Sequence, residues 1–255
     1  MIRGLYTSST GMIATQMQGE VVGDNIANVR TSGYKERLTS NNTFPTLLTN
    51  RMAGNQIMGG NLVSEARIGV MGVGVGVDPT FISTVQGSLQ QTDIKADLAL
   101  GSDMGYFAVQ TPDGERYTRN GHFELDANGM LQTPDGNFLL DTGGAPVGPL
   151  SPEFMVDTDG AIYDNNRYMG HLRIVDIPGE ALVREGQSLY TASQEVGQST
   201  DFMVKQGFLE ASNVDIGSQM VKMINIMRAY EANQRVIQTQ DEMIGKAVNE
   251  VGKMI

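Results

Sequence analysis

Apolar side chains recur at seven-residue intervals along the end of the chain, at Ile216, Met223, Tyr230, Ile237, Ile244 and Val251. A second register, offset by four, runs Met220, Met227, Gln234, Asp241, Val248 and Ile255, with polar residues in its middle. Together they make an interrupted heptad seam, which predicts one helix over 216–255 lying along another helix. At ~1.5 Å per residue that helix is roughly 60 Å long, more than the face of a small domain. Its partner has to come from elsewhere in the chain or from other chains.

The start of the chain offers one. Ile2, Leu5, Tyr6, Met12, Ile13, Met17, Val21, Ile26 and Val29 fall at mostly helical spacing, and no proline precedes Pro45. Gly4, Gly11, Gly19 and Gly23 weaken this helix by roughly 1 kcal/mol each relative to Ala, so it needs packing to persist. Thr31-Ser32-Gly33 is the predicted stop, with Gly33 as a left-handed cap.

Between the ends the pattern changes to short β-runs separated by turns. Asp113-Gly114, Asn120-Gly121, Asn128-Gly129 and Asp135-Gly136 recur every seven or eight residues. Such dipeptides suit tight primed turns with positive φ at both central residues, so a meander is predicted from about Tyr106 to Leu140. Asp159-Gly160 leads into Ala161-Ile162-Tyr163, and 171–175 reads as a further strand. Pro146, Pro149 and Pro152 interrupt the sheet. Residues 40–66, rich in Asn, Thr, Gly and Met, show no sustained period and read as extended or irregular. The Gly-Val alternation over 69–77 reads as a strand with close backbone approach; it has neither the following helix nor the Gly-Lys-Ser/Thr of a phosphate loop.

These patterns define an α+β chain: long N- and C-terminal helices pairing as a coiled coil, with a central, mostly antiparallel β domain. The expected division is 1–35, N-terminal helix; 36–78, extended linker; 79–200, β-rich domain; and 201–255, C-terminal helix.

Charge sharpens this division. The net −11 of the 255 residues splits into +2 over 1–75, −12 over 76–200 and −1 over 201–255. The acidic middle suits a solvated globule and argues against nucleic acid, while the near-neutral ends can crowd together. With no cysteine, thiol catalysis and thiolate metal sites are excluded. No apolar window of about 20 residues suggests a membrane span, and no conventional signal peptide is expected. His122 and His171 sit in strand patterns with no nucleophile motif beside them, and Asp126-Ala127-Asn128-Gly129 and Asp157-Thr158-Asp159-Gly160 lack the terminal Glu of a calcium loop. The residues point to no enzyme, no cofactor and no metal. The seam methionines read as packing residues.

Gly23-Asp24-Asn25-Ile26-Ala27-Asn28-Val29-Arg30-Thr31-Ser32-Gly33-Tyr34-Lys35 resembles the N-terminal signature of bacterial flagellar rod and hook proteins. Gln206-Gly207-Phe208-Leu209-Glu210-Ala211-Ser212-Asn213-Val214-Asp215 and Arg228-Ala229-Tyr230-Glu231-Ala232-Asn233 are similar to its C-terminal signature. Gln86-Gly87-Ser88-Leu89, Asp97-Leu98-Ala99-Leu100 and Tyr117-Thr118-Arg119-Asn120-Gly121-His122-Phe123 fit between them, in collinear order over nearly the whole chain.

The resemblance implies a structural subunit of the basal-body rod. Its terminal helices would line a hollow helical polymer that transmits motor torque to the hook, outside the cytoplasmic membrane. Implied partners are further copies of itself, other rod subunits, hook protein and the flagellar export apparatus, without direct membrane insertion. One middle domain of about 110 residues suits a rod member, distal first and proximal next, and 40–66 is the stretch expected to bridge neighbours. Asn25, Asn28, Gly33 and Tyr34 are expected to shape the helix exit, and Ile216, Met223, Tyr230, Ile237, Ile244 and Val251 the assembly seam. Ordinary helix-end hydrogen bonding and an intramolecular hairpin are the plainer alternatives. In a different class, a secreted β-rich adhesin or carbohydrate-binding module accounts for the acidic middle but not for the sticky ends; a hydrolase is weaker still.

Overall fold

The computed structural model describes residues 2–43, 47–51, 66–71, 74–78, 80–103, 105–179, 181–186, 188–193, 196–199 and 202–251. The chain forms two compact units, one of Met1–Gly23, Thr39–Thr80 and Met220–Ile255, the other of Asp24–Leu38 and Phe81–Gln219.

The first unit is built on helices α1 (Ile2–Ala27) and α2 (Ile216–Val251). Their close approaches are ordered: Gly4 lies at Gln240, Gly11 at Asn233, Gly19 at Ile226 and Gly23 at Met223. Numbers rise along one helix as they fall along the other, so the two run antiparallel side by side. Neither helix is long and apolar enough to cross a membrane. Within the stretch expected to be extended or irregular, the described residues form strands, and the expected strand over 69–77 supplies partners: Asn41–Thr43 pairs Val75–Val77, and Leu47–Arg51 pairs Ala66–Met71. Backbone ladders need no hydrophobic period, which is why composition did not announce this pairing. Residues 52–65 lie outside the described residues.

The second unit carries a nine-stranded sheet centred on Gly105–Thr111. That strand pairs Gly114–Thr118 on one edge and Phe138–Leu139 and Ile174–Asp176 on the other, all antiparallel. Its side chains alternate between two cores. Phe107 and Val109 join Leu98, Phe123, Leu131, Leu139 and Ile162, while Tyr106 joins Ile82, Val175 and Tyr190. A strand covered on both faces reads as a continuous apolar run, which is the sequence Tyr106–Val109.

The meander is present, but its turns differ from the primed type. Gly129, Gly136 and Gly160 have φ of 78°, 83° and 87°, whereas Asn128, Asp135 and Asp159 do not have positive φ. One left-handed glycine per loop is the signature of a type I turn closed by a glycine bulge. The primed signature belongs instead to Asn165-Asn166, φ 48° and 63°, which joins Ala161–Asp164 to Arg167–His171. Asn120-Gly121 joins no hairpin: a Cβ on Gly121 would stand 1.5 Å from the Leu98 carbonyl oxygen, so glycine there permits close strand approach. The run 171–175 is split, with His171 ending one strand and Ile174 starting another.

A fully buried charge cluster ties the ends of this unit together. Glu210 accepts from Lys35 Nζ at 2.8 Å through Oε1 and from Arg119 Nε at 2.6 Å through Oε2, and all three side chains are at most 2% exposed. The Gly87 N–H adds a third donor at 2.9 Å. The surplus cation is offset by carbonyls: Arg119 also donates to Gly105 and Ser102, and Lys35 to Val85 at 2.9 Å. Burial pulls the Lys35 pKa below its ordinary value, against the pull of Glu210.

Two outcomes are expected. Glu210→Gln strands two buried cations and lowers the unfolding free energy by ~3–5 kcal/mol in urea denaturation followed by near-UV circular dichroism, with part recovered on adding Lys35→Met. A loss under ~1 kcal/mol would show that solvent reaches the cluster. The second concerns pH: burial raises the pKa of Tyr34 and Tyr106, and that of Tyr190 to about 12. A phenol raised in the folded state contributes stability that is intact below its unfolded value near 10 and lost as pH climbs through the folded value. Lys35, lowered, acts with opposite sign just below its ordinary value of 10.5. Four raised phenols, these three and part-buried Tyr117, against one amine predict a falling urea midpoint above pH ~10, with late tyrosinate absorbance marking the buried rings. A flat midpoint to pH ~11.5 would contradict it.

Candidate assembly surfaces

Helix α1 ends at Ala27, earlier than the Thr31–Gly33 stop read from sequence. Its last turn tightens, with Val29 N–H bonding the Ile26 carbonyl and Thr31 N–H that of Asn28. Asn25, 1% exposed, then directs the exit. Its Oδ1 accepts from the Tyr34 hydroxyl at 3.1 Å and Arg37 N–H at 3.0 Å, and its Nδ2 donates to the Arg37 carbonyl at 2.8 Å. One amide side chain thus satisfies both backbone groups of Arg37, as a neighbouring strand would. Tyr34 is clamped from its other side by Arg184, whose guanidinium carbon lies 4.7 Å over the ring and whose Nη1 donates to the hydroxyl at 3.1 Å. Gly33, φ +68°, caps the turn after the helix rather than the helix itself. A Cβ there would meet the Arg119 carbonyl oxygen at 2.3 Å, and its N–H donates to the Glu210 carbonyl at 2.7 Å.

Three of the four residues expected at the helix exit therefore meet in one junction. Asn28 does not join it: its Nδ2 bonds the Asp24 carbonyl at 2.8 Å and its Oδ1 accepts from Thr31, which is local helix-end bonding. Sequence reading missed Lys35, Arg119, Glu210 and Asn213 as a group, although all lie within the quoted motifs. Asn213 accepts from Glu36 N–H at 2.6 Å and donates to the Val85 carbonyl at 2.9 Å. Gln219, 1% exposed in the first turn of α2, bonds Glu36 and Asn25, and no pattern in the sequence marked it. Asp215 caps that turn through Gly217 N–H and Ser218 N–H.

The helices show an unusual distribution of apolar surface. On α1 the buried positions among the described side chains are Ser8, Thr10, Ala14, Val21, Val22 and Asn25, whereas Leu5, Tyr6, Ile13 and Met17 are exposed. On α2 the partly buried line runs Met223, Ile226, Asn233, Ile237, Gln240 and Ile244, with Tyr230 38% exposed at its edge. The seven-residue register is thus placed at α1 over its central part, but its companion is offset by three, not four. Met220, Met227, Gln234, Asp241 and Val248 of the expected second register face solvent. Polar Gln219, Asn233 and Gln240 occupy the companion positions, so an apolar search selected the wrong neighbour. Ile216 is 44% exposed, and the side chains of Val251 and Ile255 lie outside the described residues.

His122 Nδ1 lies 2.7 Å from buried Asp97 Oδ1, and the His171 ring packs edge-on to Phe202. Asp126 and Asp157 each close a turn, accepting from Gly129 and Gly160 N–H.

The chain matches three family models: flagella basal body rod protein over residues 5–35, the D1 domain of flagellar hook protein FlgE/F/G over 102–166, and the C-terminal part of flagellar basal body rod FlgEFG protein over 205–250. Each stretch holds one member of the buried cluster, Lys35, Arg119 or Glu210. Among curated relatives, the flagellar hook-basal body complex protein FlhO of Bacillus subtilis is 34% identical over all of both chains. The flagellar basal-body rod protein FlgG of the same organism is 34% identical over 98% of this chain and 99% of its own. The rod protein FlgF of Caulobacter vibrioides is 31% identical over the full length of both. These matches give no support to an adhesin, a carbohydrate-binding module or an enzyme. Matched from end to end by relatives above 30% identity, the chain belongs to the flagellar basal-body rod protein family.

Proposed function

We propose that this chain is a structural subunit of the flagellar basal-body rod that polymerises through the outward faces of its two terminal helices. The observation that carries the reading is Leu5, Tyr6, Ile13 and Met17 on α1 together with Met220, Ile224, Met227 and Val248 on α2, all large, apolar and exposed. Apolar faces of this extent are rare on monomers and mark surfaces that a partner covers. Each such side chain, once buried, contributes about 1.5–3 kcal/mol. A face that meets a different face of the next copy does not close, and its product is a helical filament.

In this reading the antiparallel helix pair winds as a coiled coil and, with its neighbours, lines a hollow shaft that passes torque to the hook. Residues 1–35 and 201–255 supply the axial core, 36–78 the bridge to adjacent copies, and 79–200 the outer domain. Met223, Tyr230, Ile237, Ile244 and Val251 work at the seam and Ile216 at its start, while Asn25, Asn28, Gly33 and Tyr34 set the direction in which the chain leaves the helix. Other rod subunits and hook protein are the axial partners, and the flagellar export apparatus is the route out of the cytoplasm. Identity to FlgG at 34%, against 31% to FlgF, favours the distal over the proximal position.

A strain carrying Ile224→Asp with Met227→Asp tests this. The purified variant should keep wild-type circular dichroism and the urea midpoint of the sheet-bearing unit, because both residues are exposed. In cells, basal bodies should carry truncated rods and swimming should cease, since two carboxylates at each contact weaken assembly by about 3 kcal/mol or more, over 100-fold. Full-length rods and normal swimming in that strain would refute the outward faces as the assembly surface.

A further inference from the structure

Gly4 and Gly11 of α1 are separated by seven residues, as are Asn233 and Gln240 of α2, and the two pairs face each other in opposite order. A Cβ on Gly11 would stand 3.0 Å from Asn233 Nδ2 and 3.4 Å from its Cγ, and one on Gly4 would stand 2.1 Å from Gln240 Nε2. The amides therefore occupy space that any other residue at 4 or 11 would claim. Around them the line on α2 is apolar: Met223, Ile226, Tyr230, Ile237 and Ile244. Gln240 Oε1 is buried and accepts no hydrogen bond among the described residues, so the amide is kept at a cost. Glycine inside a helix is a further cost. Polar residues at a few seam positions are the known physical means of fixing alignment at the expense of stability.

We propose that Asn233 over Gly11 and Gln240 over Gly4 form the register key of the α1–α2 pair, admitting one antiparallel alignment and rejecting its heptad-shifted neighbours. A shift of seven in one direction carries Gln240 beyond the end of α1 and leaves Ile226 in the Gly11 notch. A shift in the other direction sets Asn233 against Gln18, a full side chain already held by Asn41 at 2.7 Å. Both shifts keep apolar residues near the seam, so along the seam the amides are what separates them in energy, in addition to the bonds of Gln219 to Asn25 and Glu36 at the start of α2. The inference concerns the pairing within one chain and stands independently of polymerisation.

The absence of cysteine makes disulfide trapping in the full chain a clean reporter. Thr15 and Tyr230 line one cleft between the helices, so Thr15→Cys with Tyr230→Cys reports the observed register. Thr15→Cys with Ile237→Cys reports the shift by one heptad. With Asn233 and Gln240 intact, the first pair should give the intramolecular cross-link on mild oxidation and the second less than about a tenth as much, a ratio set by more than ~1.4 kcal/mol. Adding Asn233→Leu and Gln240→Leu should raise the shifted product several-fold with helicity unchanged. An unchanged ratio between the two products would remove the amides from the role. Failure of Thr15→Cys/Tyr230→Cys to cross-link with the amides intact would overturn the register itself.

Discussion

Glu210 is the group on which the second unit depends. Lys35 follows the exit of α1, Arg119 lies at the end of a central strand, and Glu210 stands shortly before α2. Two cations from distant parts of the chain are sealed from water around one carboxylate. Buried ion pairs are seldom the cheapest way to gain stability, because desolvation offsets most of the attraction. What they do enforce is placement. Without a carboxylate at this point, both cations would lose their charge partner, and the pairing of Phe208–Glu210 with Leu89–Gln91 is what holds it there. The Glu210 carbonyl then receives Gly33 N–H, and the turn leading out of α1 is fixed by the same residue.

The two units, each taken by itself, follow different rules. Around the central strand, Tyr106 to Val109 are all fully buried, on both faces, with aromatic rings meeting edge-on, Tyr106 at Tyr190 and Phe107 at Phe123. On the helices, small and polar residues such as Ser8, Thr10, Ala14, Asn233 and Gln240 share the inward positions with Val21, Val22, Met223, Ile226, Ile237 and Ile244, while many large apolar residues turn outward. A chain that only had to fold would place Ile13, Met17, Ile224 and Met227 inside and Ser8 and Thr10 outside. The inversion makes sense where a second burial step follows folding.

Reading the sequence recovered what depends on period. The α+β order, the terminal helices, the strand run Tyr106–Val109 and most glycine turns are repetitive or local signals. It failed where a decision rests on a tertiary neighbour. The companion register of α2 was assigned to Met220 and Met227 because they are apolar, yet Asn233 and Gln240 face inward against Gly11 and Gly4, and Gln219 faces inward to bond Asn25 and Glu36. The Gly-Val run was read as a strand, but its pairing with 41–43 and 47–51 was not foreseen, because that pairing lies in backbone hydrogen bonds. The Lys35–Arg119–Glu210 cluster was invisible to local pattern: each residue is an ordinary charge in its own segment, and only the matched motifs, one residue in each, hinted that all three belong together.

Low helix propensity in α1 follows from the same logic. Four glycines in 26 residues leave a helix that cannot hold itself, and outward apolar residues leave one that gains little from its own fold. Both features lower the stability of a lone subunit; in the proposed assembly, neighbours would supply the burial that the chain withholds from itself. A subunit stable enough to satisfy these faces alone would have less to gain from its polymer. The notches also keep the helices close, while the apolar residues excluded from the seam remain exposed. Weak helices and outward hydrophobics are therefore both what the proposed assembly requires, a final core shared between copies.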